Sequence, residues 1–194
     1  MAIDPSKFHK NNVIDTCAIW NILASKLLYA TAQNAGCNFI CTYFVYYECL
    51  HKTRKNPKQE EIDLQNRFRE EYKNGKFQYQ HLTIEDLQDV EILQRRMNID
   101  KGELASIAYA KKTGKAFLTD DQKARKLAAN FLTAKMVQTT PHLLGWLLFI
   151  TYLSDGDLQT IINEHQKLDR PLKKYFVDVY KMVLDYKLKA FKAQ

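Results

Sequence analysis

Between Asn12 and Thr139, short β-rich runs alternate with stretches of helical period: Asn12 to Cys17, Asn38 to Thr42, Phe77 to Leu82, Ala116 to Thr119 and Lys135 to Thr139. Strands that alternate with helices cannot be joined by tight hairpins; they line up in parallel and are covered on both faces. The alternation predicts an α/β fold, with a mostly parallel central sheet of four to five strands between helical layers. Helices fill the chain beyond the last run. The run Leu143 to Leu153 is half the length of a membrane-spanning helix and reads as a core helix.

Within the first run, Asn12-Val13-Ile14-Asp15-Thr16-Cys17, a carboxylate interrupts an otherwise apolar strand. A buried carboxylate is costly unless it is paired, hydrogen-bonded or bound to a cation, so Asp15 requires a named partner. Open parallel sheets collect their chemistry at the carboxyl ends of the strands, close to the point where strand order reverses. Asp120 and Asp121 follow the strand Ala116 to Thr119 and are natural neighbours of Asp15 in such a sheet. Glu48 interrupts the apolar helix Tyr46-Tyr47-Glu48-Cys49-Leu50, and Glu103 opens the helix Gly102 to Lys112.

Carboxylates gathered in one cleft repel one another and are held together by protons or cations. Hard oxygen donors at an open site select magnesium or manganese, which polarise phosphate and activate water. Each acid also has a structural use. Glu103 closes a capping box if Asp100 is the N-cap, Asp120 or Asp121 caps the following helix, and Glu48 faces solvent on its helix or pairs with a lysine. A mid-strand Asp15 has no such ready use.

The rest of the composition narrows the alternatives. The cysteines Cys17, Cys37, Cys41 and Cys49 sit in apolar surroundings and read as buried thiols; a zinc site from Cys37, Cys41, Cys49 and His51 lacks the short Cys-x-x-Cys spacing. The histidines are scattered, and no phosphate-binding Gly-rich loop occurs. The polar start, Met1 to Lys7, lacks the apolar segment of an export signal, and a cytoplasmic protein with no membrane association is expected. The net charge is +7, and Lys167 to Gln194 holds eight Lys or Arg against three Asp, which favours a polyanionic partner.

The residues Val13-Ile14-Asp15-Thr16, Glu48, Gly102-Glu103-Leu104-Ala105 and Leu118-Thr119-Asp120-Asp121 resemble, in order and in element, the PIN-domain family and in particular its small VapC-like ribonuclease toxins. The resemblance implies a three-layer α/β/α nuclease domain over 12–153, with an N-terminal extension at 1–11, a charged helical insertion at 52–76 and basic helices at 154–194 packed on the same domain. It implies that Asp15, Glu48, Glu103 and Asp121 are the catalytic, metal-binding acids, with Asp120 a further candidate and Asp121 favoured by the family's Thr-x-Asp pattern. Thr16 and Thr119 would orient them. Magnesium or manganese is the implied cofactor and RNA the implied substrate. The implied partners are a second copy of the chain and an antitoxin or other inhibitory protein.

The chain departs from that pattern at Cys17, where the family has a polar residue, and at Thr139-Thr140-Pro141 in place of Gly-Thr. A metal-dependent endoribonuclease, acting as a toxin or in defence, is the leading expectation. Lys52, Arg54, Lys55, Lys58, Lys123 and Arg125 are candidates to hold RNA phosphates, and Tyr43, Tyr46 and Tyr47 either stack on bases or pack in a core or dimer interface. The alternative is a PIN-like module that binds RNA or protein without cutting. A phosphate-accepting receiver domain is disfavoured, because the middle strand ends in His81-Leu82-Thr83 and supplies no acceptor Asp.

Overall fold

The apolar run before Asp15 forms β1 (Asn11–Ile14), which stops one residue short of the carboxylate. The structure, a computed structural model, describes residues 4–52, 56–83, 85, 86, 88 and 100–192. Four further strands are β2 (Asn38–Thr42), β3 (Tyr79–Gln80), β4 (Ala116–Leu118) and β5 (Val137–Gln138). All pair in parallel in the order β3-β2-β1-β4-β5. Strand order therefore reverses at β1, between β2 and β4.

Nine α-helices surround the sheet among the described residues: α1 (Thr16–Ala24), α2 (Lys26–Asn34), α3 (Tyr43–Leu50), α4 (Gln59–Lys73), α5 (Lys101–Thr113), α6 (Gln122–Ala128), α7 (Thr140–Phe149), α8 (Asp157–Lys167) and α9 (Lys173–Lys192). Strand alternation divides them into two layers. Val13, Phe117 and Val137 turn to one face, where Leu104 and Ile107 of α5 and Leu127 of α6 cover them. Ile14, Phe39 and Leu118 turn to the other, where they join the larger core shared by α1 to α4 and α7 to α9. The three-layer α/β/α architecture is the one expected.

Several boundaries differ from the expected ones. The first helical stretch is two helices, broken at Ser25, whose hydroxyl accepts from the Leu28 N–H and donates to Glu164 Oε2. The strand expected at Phe77 to Leu82 is only β3, because Phe77 takes a positive φ of 50° and turns into the core. The charged stretch 52–76 contributes more than an insertion would. Its helix α4 buries Leu64 and Phe68, and the Phe68 ring meets Trp20 and Phe77, so that face completes the main core. The helix expected from Thr83 to about Met97 lies largely outside the described residues.

Described residues near both ends of the chain pack against the cores of the sheet. Phe8 stacks on Trp146, and the buried Gln138 amide bonds both the His9 carbonyl and Asn12 Oδ1. The helix α9 seats Phe176, Val179 and Val183 in the core. Gly145 allows that approach: a Cβ there would lie 2.7 Å from Val179 Cγ2. The four cysteines carry free thiols, three of them buried, and no described helix is long and apolar enough to cross a membrane.

Candidate active site

Asp15 stands where β1 hands over to α1, as the N-cap of that helix. Its Oδ1 accepts from the Ala18 N–H at 2.8 Å, and its Oδ2 accepts from the Thr119 hydroxyl. Those are the partners a buried carboxylate requires. The parallel register pairs Ile14 with Leu118, so the residues that follow, Asp15 and Thr119, emerge side by side at the switch point. The same Thr119 hydroxyl accepts from the Asp121 N–H at 3.1 Å, linking the ends of β1 and β4 through one oxygen.

Asp121 caps α6, with Oδ1 accepting from the N–H groups of Lys123 and Ala124 at 2.7 and 2.8 Å, which leaves Oδ2 for the cleft. Asp120 is turned elsewhere. Its Oδ1 accepts from the Thr140 N–H, and its Oδ2 accepts from the Thr140 hydroxyl and from the Asn21 amide at 2.7 Å. The two consecutive acids thus have different surroundings: Asp121 lines the cleft, and Asp120 locks β4 to α1 and α7.

Glu48 reaches the cleft from α3. Thr16 donates to its Oε2 at 2.7 Å, and Lys52, one helical turn on, donates to its Oε1 at 2.9 Å. Gly102 in α5 makes room for it: a Cβ at that position would lie 3.2 Å from Glu48 Oε2. Asp100 caps α5 by accepting from the Gly102 N–H at 3.1 Å, and Glu103, one residue on, lines the cleft. Thr16 and Thr119 each donate to one of the acids.

The resulting cleft, of about 370 Å³, is lined by acids from four elements, Asp15, Glu48, Glu103 and Asp121, with Asp100 at its rim. Trp20 and Val45 supply apolar wall, and Arg170 is the cation among its lining residues. Burial raises the Asp15 carboxyl to about 7 against the pull of its two hydrogen bonds, and Asp120 and Glu103 push the same way. Burial also raises Glu103 to about 7, helped by Asp121, Asp100 and Glu48 and opposed by Lys123. Burial pushes the Cys17 thiol up to about 12, so it is no nucleophile at neutral pH.

Among the described residues, no group of three or more His, Cys, Asp or Glu side chains is gathered tightly enough to enclose a metal ion. The donors nevertheless fit a hard divalent cation in kind, being carboxylate oxygens around an open cleft, two of which burial and, to a lesser degree, their acidic neighbours make hold protons more tightly than usual.

The phosphate-binding candidates are dispersed. Lys52 pairs with Glu48 beside the cleft, and Lys123 lies close enough to Glu103 to lower its pKa. Lys58 instead pairs with Asp169 at 3.0 Å, and Arg125 is half-buried in the last turn of α6, outside the cleft lining. Arg54 and Lys55 lie outside the described residues.

Two residues of the site went unread in the sequence. Arg170, between α8 and α9, reaches the cleft and donates from Nε to Asn21 Oδ1 at 2.7 Å. Asn21 carried a signal of the same kind as Asp15, a polar side chain inside the apolar run Ala18 to Leu23, and it is buried. Arg170 carried none, since its neighbours are ordinary turn residues.

Comparison with known proteins matches the family model DUF3368, a PIN domain, to residues 11–135. The match covers β1 to β4, and β5 with α7, α8 and α9 follows it. No curated protein matches the chain.

Proposed function

Because this chain belongs to the PIN-domain family, whose members are generally nucleases that use divalent metals, we propose that it is a metal-dependent endoribonuclease. One observation carries the reading: acids from four separate elements converge on a single cleft at the carboxyl edge of β1 and β4. A scaffold gains no stability from burying Asp15 and Glu103 beside other acids, which raises both pKa values, and this supports a role for the cleft in holding a cation or in a reaction.

Asp15 and Asp121 would hold a magnesium or manganese ion, with Glu48 and Glu103 completing the site. When bound, such an ion polarises the phosphodiester and lowers the pKa of the attacking water. The chain's own groups prepare that chemistry. Thr119 fixes the Asp15 carboxylate with its hydroxyl, and α6 fixes Asp121 through two N–H bonds, so neither acid reorganises when substrate arrives. Trp20 and Val45 exclude water from one wall. Arg170, which lines the cleft, and Lys123, near enough to act on Glu103, support a role at RNA phosphates that would weaken as salt rises. Lys52 holds Glu48 and serves as its counter-charge.

That last contact supports the second reading, a non-catalytic RNA- or protein-binding module, because an amine already neutralises one of the acids. Cleavage of labelled RNA and single-stranded DNA with magnesium or manganese, beside Asp15→Asn and a chelator control, decides between the two. Metal-dependent cutting lost in the variant supports the nuclease. Equal inactivity of both proteins while both bind RNA supports the module. Growth arrest on expression of the wild type, absent for Asp15→Asn and relieved by an inhibitory protein, would assign a toxin role.

A further inference from the structure

The helix that delivers Glu48 to the cleft presents an unusual face to solvent. Positions 43, 47 and 51 of α3 and its C-cap fall on one stripe, and they are Tyr, Tyr and His. Tyr43 is 41% and Tyr47 48% exposed, and His51 is also exposed. A solvent-facing helix stripe is normally charged or polar, because rings left in water forgo their burial.

The rings are already arranged in near-parallel pairs. Tyr43 stacks on His81 with centroids 5.3 Å apart and planes 23° apart, and Tyr47 on His51 at 5.9 Å and 25°. Tyr79 meets Tyr43 and His81 edge-on at 5.4 and 5.2 Å and braces the first pair from below.

The sheet fixes where this surface lies. Tyr43 follows the end of β2 and His81 follows the end of β3, so both stand on the carboxyl edge that carries Asp15 and Asp121. Along that edge the strand order sets out rings at β3 and β2, then acids at β1 and β4. Tyr47 is also the immediate neighbour of Glu48, and the exposed Lys52 follows His51.

Resting on the nuclease reading above, we propose that the stripe Tyr43, Tyr47 and His51, with His81, is a stacking platform for unpaired nucleobases of a single-stranded RNA whose backbone continues into the acidic cleft. Preformed ring pairs offer flat π faces that accept any base. The stripe contains no Leu, Ile, Val or Met, the aliphatic anchors by which helices dock in protein grooves. A platform of this kind selects single strands over duplex, whose bases are already stacked on each other.

The test uses the full chain carrying Asp15→Asn, so that RNA is held without being cut. Fluorescence anisotropy compares a short labelled single-stranded RNA with an abasic backbone of equal length, with and without Tyr43→Ala plus Tyr47→Ala. The expected result is a loss on the order of tenfold for the base-bearing strand, no change for the abasic strand and an unchanged salt slope. Tyr43→Phe plus Tyr47→Phe should restore binding, since it keeps both rings. Unchanged affinity in the double alanine variant overturns the platform, as does an equal loss on the abasic strand. So does a double alanine variant that converts a dimer to monomers in sedimentation, which would assign the stripe to a second copy of the chain. Cleavage by the protein with Asp15 intact is scored separately, so an active nuclease with an indifferent stripe removes only this proposal.

Discussion

Arg170 Nε donates to Asn21 Oδ1 at 2.7 Å, and the bond belongs to a chain of contacts. Asn21 passes it to Asp120 Oδ2 at 2.7 Å, and Asp120 is closed off on its other side by Thr140. Residues that follow the family match are thereby wired into the corner that holds the acids.

Removal of the guanidinium in Arg170→Ala leaves the Asn21 carbonyl unpaired where it is only 3% exposed. A denaturant midpoint should report a loss of about 1–3 kcal/mol. Arg170→Lys should recover little of it, because a single ammonium cannot reach both Asn21 and the Cys17 carbonyl as the planar fork does.

The consecutive acids should separate by phenotype. Asp120→Ala strands Thr140 and Asn21 together and should cost about 3 kcal/mol of stability. Asp121→Asn keeps an oxygen for the α6 cap, so its stability should stay within about 1 kcal/mol of wild type while cleavage falls at least about 100-fold. Thermal melts and rate constants on the two variants check this, and the opposite pattern would transfer the site role to Asp120.

Asp15 and Glu103 set a pH dependence opposite to the usual acid denaturation. The folded-state value near 7 for Asp15 lies above its ordinary 3.8, so the folded protein holds a proton that the unfolded chain releases. Stability is fully present below about 3.8 and is lost as pH rises through about 7, by no more than about 1.4 kcal/mol per pH unit for one group. Glu103 adds in the same sense between its ordinary 4.5 and about 7. Buried His165 and half-buried His142, whose values desolvation lowers below 6.5, oppose this below that pH. In chelator, then, the melting midpoint should fall from pH 6.5 to 8, and Asp15→Asn should flatten much of the fall. Manganese added at pH 8 should raise the wild-type midpoint and leave that of Asp15→Asn nearly unchanged.

Two glycines should fail in different ways. In Gly102→Ala the new methyl meets Glu48 Oε2 at 3.2 Å, the end of a flexible arm, so the fold should survive while Glu48 is displaced and activity drops. In Gly145→Ala the methyl meets Val179 Cγ2 at 2.7 Å inside the core, and overpacking should cost about 1–3 kcal/mol. Melting and cleavage measured on both variants distinguish the two effects.

The sheet and the acids were legible for the same reason: each left a local mark on the sequence. Apolar β-rich runs marked the strands, and Asp15 and Glu48 marked themselves by interrupting apolar segments, a mark that Asn21 also left and that went unread. What escaped was tertiary. The split at Ser25 is a local N-cap on Leu28 that Glu164, far along the chain, also engages, and the Leu64 and Phe68 face of a charged helix is buried against partners such as Trp20 and Phe77. The Thr-x-Asp spacing favoured Asp121, but the use of Asp120 arises from Thr140 and Asn21, which that spacing does not contain.

Asp15 and Thr119, bonded to each other, are 104 residues apart, and Arg170 reaches Asn21 across 149. Contacts of such separation form late, because the loop between them must close before either partner gains anything. A ribosome must deliver residues through Leu118 before β4 can slot beside β1, and through Arg170 before the corner is secured. In a growing polypeptide the corner that holds Asp15, Asn21 and Asp120 is therefore incomplete until residue 170 has been made.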